Sequence, residues 1–124
     1  MKPFIAMIVA LATLTVAPDA LGQGRILESY IARLGPADHF NSYGERLTTA
    51  AAVIRQDRAN FHVYGQRDSE DEGDRFFASR ENRARMEALL AAGRAGPGVR
   101  RAIVNGRPLI RVDVYRNAVN VTLL

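Results

Sequence analysis

The chain reads as an α+β fold in which three helices pack on one face of a C-terminal three-stranded antiparallel meander. Three observations predict it. Apolar residues recur three and four apart through the first part of the chain, the period switches to two after Gly98, and Asn105-Gly106 and Arg116-Asn117 punctuate the alternating stretch. Helices laid on one face of a sheet bury all of these apolar stripes together.

A leader precedes the first element. Met1-Lys2 opens it, an apolar run of fourteen residues spans Phe4 to Ala17, and Pro18-Asp19-Ala20-Leu21-Gly22 follows. A charged start, an apolar middle and small residues at the end are the marks of a secretory signal peptide. The run is shorter than the about 20 residues that cross a hydrocarbon layer. Small side chains at Ala20 and Gly22 place the cut between Gly22 and Gln23. The expectation is a periplasmic or secreted protein with no integral membrane anchor, residues 1–22 being the signal peptide and residues 23–124 a single small α+β domain.

The first helix is expected from Arg25 to Leu34, where Ile26, Leu27, Tyr30, Ile31 and Leu34 share a face and Gly35-Pro36 ends it. A loop from Ala37 to Glu45 holds Asp38, Asn41, Ser42 and Gly44, with Phe40 and Tyr43 to pin it. The second helix is expected from Arg46 to His62 on the stripe Leu47, Ala51, Ile54, Arg58 and Phe61, apolar all round at first and abruptly polar from Arg55. An acidic loop from Gly65 to Asp74 follows, carrying Asp68, Glu70, Asp71, Glu72 and Asp74. Ser79 then caps a third helix, Arg80 to Ala92, and Gly93 to Gly98 connects it to the sheet. The strands are expected at Val99–Val104, Leu109–Tyr115 and Ala118–Leu123, the first two joined by an Asn-Gly hairpin.

The chain contains no cysteine, which excludes disulfide frameworks, thiolate nucleophiles and cysteine metal sites. No cofactor or metal motif stands out in it. Lys2 is the single lysine, so every cation after the leader is arginine, a composition that GC-rich coding explains without invoking a ligand. Asp68 to Gly73 imitates the start of a calcium loop, but position twelve would be Ser79 where a bidentate glutamate is required. Five arginines after residue 99 face a single aspartate, yet the strands lack the row of aromatics on which bases stack, which argues against nucleic acid as a partner.

Arg58 is the most informative residue, because it interrupts the apolar stripe where a hydrophobic side chain is due. A guanidinium turned toward the core must find a carboxylate, and Glu45, Asp38 and the acidic loop are the candidates. Gln56 and Asn60, four apart, share a face beside Asp57 and can present a polar row. His39 and His62 are the only imidazoles. They sit near opposite ends of a helix about 24 Å long, which opposes a joint two-histidine site.

The stretch from Asp38 to Thr48, with Ile54 to Asn60 and the acidic run Asp68 to Asp74, resembles a group of small, exported, uncharacterised bacterial proteins over roughly residues 30 to 92. The resemblance implies bacterial export and carries no activity or catalytic residue with it. The functional expectation is a binding or protein-interaction module, with Gln56, Asp57, Arg58, Asn60, His62 and His39 as its surface and an unknown protein or a small anionic ligand as its partner. The alternative is a small secreted, ribonuclease-like hydrolase using His62 or His39 with Arg58. It requires a histidine bonded to a carboxylate at the base of a cleft containing Arg58. A homodimer through an unpaired sheet edge is a further expectation.

Overall fold

The computed structural model describes residues 3–4 and 24–124, so all of the expected leader except Pro3 and Phe4, together with its cut at Gly22/Gln23, lies outside the described residues. No helix among the described residues is long and apolar enough to cross a membrane. The chain is α+β, with four α-helices and a three-stranded antiparallel sheet in the order β1 (Glu28–Arg33), β2 (Leu109–Val114), β3 (Val119–Leu123). Between β1 and β2 run α1 (Ala50–Ala59), α2 (Arg80–Ala84), α3 (Met86–Ala92) and α4 (Pro97–Asn105).

The second helix, expected from Arg46, begins only at Ala50, since Arg46 pairs with Phe40 in an isolated bridge and Thr49 caps the helix. Two elements exchange roles relative to the sequence expectation. The expected first helix is instead strand β1. Tyr30, Ala32 and Leu34 are buried at alternate positions, and only the small Ala32 concealed that period. The expected strand at Val99–Val104 belongs instead to α4. Pro97 occupies its first turn, where the missing N–H costs nothing, and Val99 and Ile103, four apart, turn toward the core. Asn105-Gly106 therefore ends a helix and makes no hairpin. The Arg116-Asn117 turn does join β2 to β3, closed by Tyr115 N–H donating to the Ala118 carbonyl at 2.8 Å.

The sheet register aligns Tyr30 with Val112 and Val112 with Val121. This row, with Ala32, Ile110, Val114 and Val119, faces the helices and is buried, while Ser29, Arg111 and Thr122 on the other face are exposed. Helix α1 lies at the centre of the helical layer and contacts α2, α3 and α4, burying Val53 and Ile54 completely. Thr49 caps it, its Oγ1 accepting from Ala52 N–H at 3.2 Å. The chain then continues through a single wide π-turn, Asn60–Tyr64, and stops at Gly65 in the left-handed conformation (φ 66°). The expected third helix, Arg80 to Ala92, is broken at Arg85 into α2 and α3, and Ser79 caps α2 through Asn82 N–H, as expected.

Both sheet edges are covered by the chain itself. Glu72 exchanges backbone and side-chain bonds with Ile31 on the outer edge of β1, and Asp71 accepts from Arg33 N–H at 2.8 Å. On the outer edge of β3, Val121 N–H donates to the Arg94 carbonyl and Arg94 N–H to Asn120 Oδ1, both at 2.8 Å. The close approach at β3 requires Gly93, since a Cβ there would fall 1.7 Å from the Val119 carbonyl oxygen.

Candidate binding cleft

Arg58 enters the core completely, with none of its surface exposed. Its Nε donates to Asp57 Oδ2 at 2.8 Å, and its Nη1 to Asp74 Oδ1 at 2.9 Å and the Glu72 carbonyl at 3.0 Å. The guanidinium lies 4.0 Å from the Tyr30 ring centre and 4.7 Å from that of Phe61. Burial works against its charge, but Tyr30, Asp57 and Asp74 outweigh it and hold the guanidinium above its usual basicity. Arg58 thus ties the acidic loop to α1. The carboxylates are Asp57 and Asp74, of the helix and the loop.

Asp57 and Asp38 form a second buried cluster. They are 1% and 4% exposed and close enough for each carboxyl group to influence the ionisation of the other. Burial pushes Asp57 well above the usual carboxyl range; Arg58 pulls it back and Asp38 adds to the rise. Asp38 is also raised by burial, against bonds from Asn60 and the Gly35 N–H. Asn60 Nδ2 donates to Asp38 Oδ1, and Gln56 Nε2 donates to Asn60 Oδ1, both at 2.9 Å. A continuous polar chain therefore runs from Gln56 at the surface to Arg58 in the core.

The two histidines lie apart. His39 is buried, with Nδ1 2.7 Å from the Gly35 carbonyl oxygen and Nε2 2.9 Å from that of Ile103, so neither nitrogen is presented to a substrate. His62 Nε2 stands 2.8 Å from Asp74 Oδ1, the same oxygen that receives Arg58. This histidine–carboxylate–arginine contact is half of what the hydrolase reading requires. The other half is a cleft in front of it, and neither His62, Asp74 nor Arg58 lines the clefts described next.

Two adjoining clefts border α1. A cleft of about 580 Å³ runs between α1, the 41–47 loop and α2. Leu47, Ala52, Ala59 and Val63 give its lining apolar surface, and Arg55, Arg80 and Arg83 give it positive charge. None of its lining residues is acidic. Arg83 is buried, its Nη1 donating to the Phe77 and Ala78 carbonyls. Arg55 and Arg80 are exposed and have no ion-pair or hydrogen-bond partner among the described residues. A second cleft of about 410 Å³ continues from the first, sharing Asn41, Ser42, Gln56 and Tyr64 and adding Asn60 and Gln66.

No family model matches this chain, and no curated protein and no solved structure shows significant similarity to it. The site therefore rests on its own geometry. Of the residues singled out in the sequence, Gln56 and Asn60 line the clefts, Asp57 and Arg58 lie in the core behind them, and His62 and His39 stand outside both. The arginines at 55, 80 and 83 carry no sequence signature, since each sits in a polar helical stretch. Only the packing of α2 beside α1 brings them together.

Proposed function

We propose that the protein is a binding module for a small anionic ligand with an apolar part, held in the cleft between α1 and α2. The observation that carries this reading is the pair of unpartnered guanidinium groups, Arg55 and Arg80, in a cleft with apolar surface and no acidic lining residue. A guanidinium fork matches a carboxylate or phosphate with two parallel bonds, and apolar contact with the rest of the lining adds affinity without competing for the charge. The buried clusters support the cleft by fixing α1: Arg58 holds its inner face, and Asn60 anchors the turn that projects Val63 and Tyr64. Catalysis is the weaker reading, because neither His62 nor Asp74 lines the cleft.

Titration with 3-phenylpropionate, followed by calorimetry or amide chemical shifts, tests the proposal. Binding is expected for the acid and not for the matching alcohol. The double substitution Arg55→Gln and Arg80→Gln is expected to lower affinity at least about tenfold, the worth of a charge-assisted hydrogen bond. Equal binding of acid and alcohol, or an unchanged affinity in the double variant, overturns it.

A further inference from the structure

Resting on that reading, we infer that the occupant of the cleft is the free C-terminal end of a peptide, its last apolar side chain on the apolar lining and its terminal carboxylate on Arg55 and Arg80. The second cleft supplies the reason. Beside Ala37, Phe40 and Tyr64 its lining holds Ser42 and the side-chain amides of Asn41, Gln56, Asn60 and Gln66, and several of these polar atoms have no partner within the described residues. Asn41 spends its Oδ1 on the N–H groups of Tyr43 and Glu45, at 2.9 and 3.0 Å, which leaves its Nδ2 as a donor. Gln56 spends its Nε2 on Asn60, which leaves its Oε1 as an acceptor. Ser42 Oγ and the Gln66 amide are free in both senses.

Donors and acceptors are thus presented together in a cleft that shares four lining residues with the arginine-bearing one. A peptide backbone offers one N–H and one C=O per residue and needs both kinds of partner. A simple apolar acid fills only the first cleft and leaves the amides unused. Tyr64, 58% exposed and shared by both clefts, stands where the last peptide group would cross from one to the other. A free carboxylate distinguishes a chain end from an internal segment, so the site reads termini.

The test compares three ligands on the same protein: acetyl-glycyl-alanyl-phenylalanine as the free acid, its C-terminal amide, and 3-phenylpropionate. The tripeptide acid is expected to bind at least about tenfold more tightly than 3-phenylpropionate, through the added backbone bonds, and at least about tenfold more tightly than its amide, through the lost charge. Gln66→Ala is expected to weaken the tripeptide and leave 3-phenylpropionate unchanged. Gln66 is exposed and bonded to nothing through its side chain, so this variant folds as the parent does. If 3-phenylpropionate binds in an Arg55-dependent way while the tripeptide gains nothing, the inference fails and the proposed function stands. If the amide binds as well as the acid, the inference also fails. If no carboxylate binds, both fail.

Discussion

Asp57 brings a carboxyl group into the core one residue before Arg58, and its proton controls how well the fold tolerates it. In the unfolded chain an aspartate ionises near pH 4. In the fold, burial raises Asp57 well above that value, Arg58 opposing the rise and Asp38 adding to it. The folded state therefore binds more protons across this window. The group's contribution to stability is complete below the unfolded value and is lost as pH rises through the folded one. Asp57→Asn mimics the protonated form: it keeps an oxygen for Arg58 Nε, offers an N–H to Asp38, and has no proton to lose. The urea midpoint of the parent is expected to fall relative to that of Asp57→Asn as pH rises from about 4. A gap that stays constant through the neutral range would overturn the link between the Asp57 proton and stability. The sequence announced Arg58, because a cation in an apolar stripe has no other ordinary reading. It concealed Asp57, because an aspartate beside an arginine on a helix looks like a solvated pair. The inward turn becomes visible only when Ala50, Val53, Asp57 and Asn60 are seen to share one buried face of the helix and the turn that continues it.

At the scale of elements, what was legible depended on how many side chains voted for one period. α1, β2 and β3 have long apolar patterns with one consistent spacing, and they form near where the residues place them. β1 and the Val99–Val104 segment are short, and each satisfies two periods: Tyr30-Ile31-Leu34 suits a helix while Tyr30-Ala32-Leu34 suits a strand. Tertiary packing decides such cases, since β2 needs a partner on each side and α1 needs cover at its outer end. The helix breaks at Arg85 and Gly93 had weaker signals. Gly93 reads as a flexible connector, yet its role is steric, because α3 ends with backbone pressed against β3. Gly93→Ala places a Cβ 1.7 Å from the Val119 carbonyl oxygen, so strand and helix must separate. The expected loss is about 3 kcal/mol, at the upper end of overpacking costs, measured by equilibrium urea unfolding. A change below about 0.5 kcal/mol, the range of neutral surface substitutions, would mean that the connection moves freely and that this edge of the sheet is not locked.

Over the whole molecule, the sheet and the acidic loop are one device. A three-stranded antiparallel sheet leaves an unpaired row of N–H and C=O groups on each outer strand, and such rows recruit other chains. Here the chain closes both rows itself, the acidic loop on β1 and the α3–α4 connection on β3. Four of the five carboxylates of the loop accordingly have structural work: Glu72 and Asp71 accept from β1, Glu70 bonds Arg33, and Asp74 holds Arg58. Composition could not distinguish the edge-covering part of this from a solvated acidic run, because the partners of Glu72 and Asp71 are backbone groups that leave no trace in the sequence. A sheet-edge homodimer consequently requires a loop to leave first. The double substitution Asp71→Ala and Glu72→Ala removes both side-chain acceptors from Ile31 and Arg33 while sparing Asp74 and the Arg58 cluster. It is expected to shift the protein toward dimers or larger species at concentrations where the parent sediments as a single smaller species, read by analytical ultracentrifugation. The shift should depend on protein concentration and leave 3-phenylpropionate binding intact, since neither residue lines the cleft. Sedimentation identical to the parent's would mean that the backbone bond from Glu72 to Ile31 covers the edge without its side chains.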